Sequence, residues 1–159
     1  MPPALEGAMR AEGIAVGLAR ATRAGRAADR LERPQLAGIR VLTSADGWSI
    51  LVGKTARDND RLTFKLAGPD DLWLHAAGTT GAHVVVRTAE RRDEVPETTL
   101  KEAAQAAAWF SDARGEGLVD VHWARRKHVR RAGRAGPGRV TLKRFQTLRV
   151  RPAPPREHD

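Results

Sequence analysis

Two histidines, His75 and His83, flank the segment Gly78-Thr79-Thr80-Gly81. Positions 75 and 83 are symmetric about residue 79. An antiparallel hairpin of Leu72–His75 with Ala82–Arg87 therefore sets the two imidazoles opposite each other. Facing imidazoles can share a proton or bind a metal. Two ligands are too few for a closed zinc site, however, and neither a cysteine nor an HExxH spacing supports one. No metal and no cofactor are expected. The plain reading is a pair of partly buried, hydrogen-bonded histidines that frame a turn. The functional readings are a pair of polar groups offered to a ligand, or a catalytic pair.

Charge is the second constellation. The net charge is +9, and it is unevenly placed. Residues 1–120 hold 16 Lys/Arg against 17 Asp/Glu, whereas residues 121–156 hold 12 Lys/Arg and no carboxylate. One end of the chain is thus strongly basic, which is the footprint of a polyanion partner. A merely arginine-rich composition would spread the cations and would not empty this stretch of acids. Strand alternation turns Arg139, Lys143, Arg149 and Arg151 away from the core. Arg125, Arg126, Lys127, Arg130, Arg131 and Arg134 fall on a connection between strands. Such rows suit phosphate contacts, which position a nucleic acid without reading its sequence. A third constellation is Ala56-Arg57-Asp58-Asn59-Asp60 at a helix start, beside Lys54. Its amides could hold a phosphate, but its carboxylates favour capping and a structural corner.

The elements that must position these groups follow from pattern. Residues 1–37 read as a helical or partly ordered arm, weakened by Gly7, Gly13, Gly17 and Gly25. Ile39 and Val41, then Trp48, Ile50 and Val52, alternate around Asp46-Gly47, a hairpin turn. Leu62–Leu66 alternates like a strand, but Leu62 with Leu66 at helical spacing and Thr55 with Asp58 as an N-cap pair favour a helix from Thr55 to Ala67, stopped by Gly68-Pro69. A second helix spans Thr99–Ala113, with Thr99 and Glu102 as a capping box and Gly115 as the stop. Its alanines predict close packing on a sheet. Strands follow at Val119–Trp123, Val140–Leu142 and Leu148–Val150. The expected fold is α/β of the α+β type, a mostly antiparallel sheet with the alanine-rich helix on one face. It occupies residues 38–151, and residues 152–159 form a proline-rich tail.

Other classes are excluded or unsupported. Without cysteine there is no disulfide or thiolate cluster. No apolar run approaches the roughly 18 residues of a membrane span. Glu6, Arg10 and Glu12 interrupt any signal-peptide core, so a cytoplasmic protein with no membrane partner is expected. No P-loop, GxGxxG or Ser/His/Asp series is present. Trp48, Trp73, Trp109 and Trp123 all fall on apolar faces, so binding should lean on charge and shape rather than stacking.

The segments DGWSILVGKTARDNDRLTFKLAG (46–68), DLWLHAAGTTGAHVVVR (71–87), ETTLKEAAQAAAWFSDAR (97–114), VDVHWARRKHVRR (119–131) and GPGRVTLKRFQTLRV (136–150) resemble, in order, the NFACT-R domain. That domain closes the RqcH and NEMF ribosome quality-control proteins. Gly53, Asn59, Asp60, Leu62, Thr63, Trp73, His75, Gly81, His83, Val84, Pro137, Gly138 and Val140 match the family pattern. Thr55, Thr80 and Ala82 depart from it. The family's N-terminal domain, helix–hairpin–helix and most of its coiled coil have no counterpart here. The resemblance implies a standalone, non-enzymatic RNA-binding domain for tRNA or ribosomal RNA, in reach of the large ribosomal subunit or of RNA modification. Its expected contacts are Lys54, Arg57, His75, His83, Arg125, Arg126, Lys127, Arg130, Arg131, Arg139, Lys143 and Arg149. The alternatives are an RNA-modifying or hydrolytic enzyme at His75 and His83, or a DNA or protein interaction module. The oligomeric state has no signature.

Overall fold

The computed structural model describes residues 33–88, 94–134 and 136–155. Most of the expected arm, residues 1–32, and the last four residues of the expected tail lie outside them. The strands β1 (Ile39–Thr43), β2 (Ser49–Gly53), β3 (Leu72–Ala76), β4 (Val84–Val86), β5 (Val119–Arg125) and β8 (Gln146–Val150) form one sheet in the order β1-β2-β4-β3-β5-β8. Every pairing in it is antiparallel. The strands β6 (Val129–Arg131) and β7 (Val140–Leu142) form a separate antiparallel ribbon. Among the described residues the α-helices are α1 (Ala56–Arg61) and α2 (Glu97–Trp109). The expected α+β class holds, with the alanine-rich helix on one face.

The period of two divides the central strands between two cores. Ile50, Val52, Leu72, Leu74, Val84, Val86, Val121 and Trp123 face α2, where Leu100, Ala103, Ala104, Ala107 and Ala108 meet them. Alanine lets the helix backbone approach the sheet closely and costs nothing in propensity. The helix begins two residues before the expected start and stops at Trp109, short of Ala113. Thr99 and Glu102 do not cap it. Thr99 is buried inside the first turns, accepts from the Ser44 hydroxyl at 2.8 Å and donates to Asp46 at 3.0 Å. Glu102 accepts from the Ala45 amide at 3.1 Å. Residues that match a local capping box thus fasten the helix to the β1–β2 turn instead, because that turn lies against the helix N-terminus.

Leu51, Trp73 and Val85 face the other way and form a second core with Ile39, Leu62 and Val129. Phe64, Leu66, Val140 and Leu142 pack on it. The Thr55–Asp58 capping box is present, with the Asp58 amide donating to Thr55 Oγ1 at 3.1 Å. Beyond Arg61 the helix widens into a π turn, Leu62–Leu66, closed by the Ala67 amide on the Leu62 carbonyl at 2.9 Å. Both Leu62 and Thr63 are buried there, and widened turns of this kind recur at functional sites. The basic connection differs from expectation: it contains β6, whose single inward apolar side chain, Val129, leaves little strand signal. Its partner β7 consequently belongs to the ribbon and not to the sheet that contains β8.

Candidate nucleic-acid interface

The face opposite α2 carries a polar clip that holds the ribbon down. His83 is 2% exposed. Its Nε2 lies 2.9 Å from the Gly138 carbonyl, which can only accept, so Nε2 carries the proton. Nδ1 then accepts from the Thr63 hydroxyl at 2.7 Å, and Thr63 Oγ1 accepts from Trp73 Nε1 at 3.1 Å. Burial, with His75 beside it, pushes the His83 pKa down to about 4. The ring is therefore neutral at physiological pH and serves as a bridge between the sheet and the Gly136–Gly138 turn.

The Asn59-Asp60 pair completes the clip from α1. Asn59 Oδ1 accepts the His83 amide at 3.0 Å, and the His83 carbonyl accepts the Gly53 amide at 3.1 Å. Gly53 is required there, because a Cβ would stand 2.1 Å from Asn59 Oδ1. Asp60 pairs with Arg131 of β6, and this guanidinium, with the Gly138 amide, holds its carboxyl below the ordinary value. Gly138 has φ +77°, and a Cβ on it would lie 3.1 Å from the Ala56 carbonyl. Asn59 and Asp60 are thus a structural corner, and the helix start at Thr55–Ala56 touches the ribbon turn.

His75 and His83 do face each other, as the symmetry about residue 79 requires, with ring centroids 5.5 Å apart and edge-to-face. Only His75 reaches the surface. It stacks on Trp73 at 5.9 Å, and its register partner on β5 is His122. Burial, then the charge of His122, lowers the His75 pKa. Among the described residues no three His, Asp or Glu side chains converge to hold a metal. A groove of about 790 Å³ runs between the sheet and the ribbon, lined by His75, Thr79, His122, Pro137, Arg139 and Phe145 among others.

The expected cations divide into two groups. Five have internal partners. Arg126 is half-buried, donates to the Thr63 carbonyl at 2.6 Å and lies 4.9 Å over the Phe64 ring. Arg131 shares that ring and binds Asp60. Arg125 donates to the Asp70 carbonyl, Lys127 pairs with Asp70, and Arg149 pairs with Asp120 at 2.8 Å. The other group is exposed: Lys54, Arg57, Arg130, Arg139 and Lys143, joined by Arg134 and Arg144. Among the described residues none of these has a side-chain ion pair. Lys54 and Arg57 flank Ala56, whose carbonyl abuts Gly138 of the ribbon turn next to Arg139. Sequence reasoning passed over His122, Phe145 and Arg144. His122 was legible as the outward position between Val121 and Trp123. Phe145, outside any strand, had no signal beyond being the only phenylalanine of the basic stretch. Trp109 also departs from expectation, being half-buried beneath Arg114, which lies 4.7 Å over its ring.

The chain matches the NFACT protein RNA binding domain over residues 39–144. It is 38% identical over 121 residues to the Rqc2 homolog RqcH of Bacillus subtilis, covering 76% of this chain and 20% of that protein. To RqcH of Streptococcus suis it is 42% identical over 104 residues, covering 65% and 18%. The chain therefore spans about a fifth of the length of these relatives. Among solved structures, the C-terminal part of the fibronectin/fibrinogen-binding protein from Streptococcus suis superposes with a TM-score of 0.65 at 37% identity, over 72% of this chain and 45% of that one. The residues of the clip, Gly53, Asn59, Asp60, Thr63, His83 and Gly138, all lie inside the matched span, and the chain belongs to the NFACT RNA-binding domain family.

Proposed function

We propose that the chain binds structured RNA, either tRNA or ribosomal RNA, as a non-enzymatic cytoplasmic module of ribosome-associated quality control or RNA modification. The observation that carries this reading is the set of exposed cations on and beside the clipped ribbon, none of which has a side-chain ion pair among the described residues. Arg130, Arg139 and Lys143 are held on a fixed ribbon, with Lys54 and Arg57 at its turn. Fixed cations release counterions when they meet phosphates, so affinity depends steeply on salt. The paired arginines, Arg126 and Arg131 above all, serve chiefly to build the surface. A catalytic reading of His75 and His83 gains no support, since both ring nitrogens of His83 are occupied within the fold.

Titration of tRNA, a ribosomal RNA fragment and duplex DNA across a salt series tests this. Four to six phosphate contacts give a slope of log affinity against log salt of about −3 to −5. Changing Arg130, Arg139 and Lys143 together to alanine should flatten it by about two to three units and leave the fold intact. An unchanged slope in the folded variant would place the RNA site elsewhere. Equal affinity for duplex DNA would replace the RNA reading with general nucleic-acid binding.

A further inference from the structure

Phe145 belongs to neither core and is 48% exposed. Its ring lies 4.4 Å from that of His122, centroid to centroid, tilted by 48°. It stands on a ridge between two hollows and lines both. One is the groove of about 790 Å³ that holds His75, His122 and Arg139. The other, of about 610 Å³, is bordered by Arg125, His128, Lys143 and Arg144. The half-open ring therefore has an exposed cation on each side, Arg139 in the first hollow and Lys143 with Arg144 in the second.

We propose that Phe145 is a stacking platform for an unpaired base of the bound RNA. This rests on the RNA-binding reading above and deepens it. A phenyl ring offers a base its π face whatever the base's identity, while flanking cations take the phosphates on either side of it. Charge complementarity selects this occupant over an apolar peptide: Arg139 borders the first hollow, and Lys143, Arg144 and Arg125 border the second, where the carboxylate of Glu94 pairs with Arg125. A regular duplex keeps its bases stacked inside and leaves the ring bare. The preferred ligand is accordingly RNA with a bulged or otherwise unstacked nucleotide, and His122 packs against the ring.

The test compares an RNA duplex carrying one unpaired adenosine with the same duplex fully paired. The parent should bind the bulged form more tightly. Phe145→Ala should lower affinity for the bulged form by roughly 5- to 150-fold, the range of one base stack, and should barely affect the paired form. Phe145→Trp should restore the preference. Phe145→Leu keeps apolar volume but lacks the π face, so it should also lose the preference; it serves if the alanine variant is unfolded. Adenosine monophosphate, with a single phosphate, should compete poorly. A folded Phe145→Leu variant that keeps the preference, or a parent that binds both duplexes equally, overturns the stacking site while leaving RNA binding in place. Competition by the mononucleotide as strong as by the bulged duplex would make this a nucleotide pocket instead and would also overturn it. A parent that binds neither duplex refutes the RNA reading itself.

Discussion

The two faces of the sheet are built on opposite principles. The face under α2 is dry: aliphatic side chains meet alanines, and the polar contacts sit at its margin, where Ser44, Thr99 and Glu102 tie the helix to a turn. The opposite face has a smaller core, and the ribbon over it is held by directional bonds through His83, Thr63, Asn59 and Asp60. Non-directional burial gives bulk stability. Directional bonds fix position, and a surface that presents cations to phosphates needs position. The clip consumes some of the basic residues to hold the rest in place.

The largest effect separating the faces should come from the dry one. Leu74 is fully buried against α2. Leu74→Ala should destabilise the whole domain by about 2–5 kcal/mol, seen as a lower urea midpoint with no selective change in the ribbon. A selective loosening of the ribbon alone would show that the two faces are not separate.

Acid should act on the other face. His83 has a folded pKa of about 4, below the ordinary histidine value of 6.5. Between these values the unfolded chain binds the proton and the folded chain does not. Stability is therefore full above pH 6.5 and falls as pH drops toward 4, by roughly 3 kcal/mol in all. Asp60 is shifted below its ordinary 3.8, so its contribution is present above that value and is lost only in stronger acid. Unfolding midpoints across this range, in the parent and in His83→Gln, check the assignment; the variant should lose most of the slope between pH 6.5 and 4.

Thr63→Val sharpens the contrast further. It preserves shape but leaves Trp73 Nε1 and His83 Nδ1 without their shared hydroxyl, at a cost of about 1–3 kcal/mol. Amide exchange should quicken at Val129–Arg131 and Val140–Leu142 more than in α2, and RNA affinity should fall although every cation is retained. Unaltered exchange in the ribbon would mean that the hydroxyl bridge does not hold it. The smallest effect belongs to Arg149, whose pair with Asp120 lies at the surface. Arg149→Ala should leave the unfolding midpoint unchanged, since screened surface pairs contribute little.

Several elements were legible along the chain. The Asp46-Gly47 turn with alternating apolar neighbours is local chemistry, and so is the Thr55–Asp58 box. The opposition of His75 and His83 is arithmetic about residue 79, and the register Leu72 with Val86 obeys it. The Thr99–Glu102 box was misleading because its residue types satisfy two geometries equally, and the nearby β1–β2 turn offered partners that a lone helix lacks. The strand Val129–Arg131 was hidden because one buried valine in a basic run has no period.

The sequence by itself determined the class of fold, the basic end and the family motif, because these depend on residue type, alternation and order. Tertiary structure alone decided which cations are available. Arg126 and Arg130 are four residues apart and alike in composition, yet one lies against Phe64 and Thr63 while the other is exposed. That difference arises from how the ribbon crosses the π turn. It depends on contacts between residues more than 60 positions apart, which no local pattern encodes.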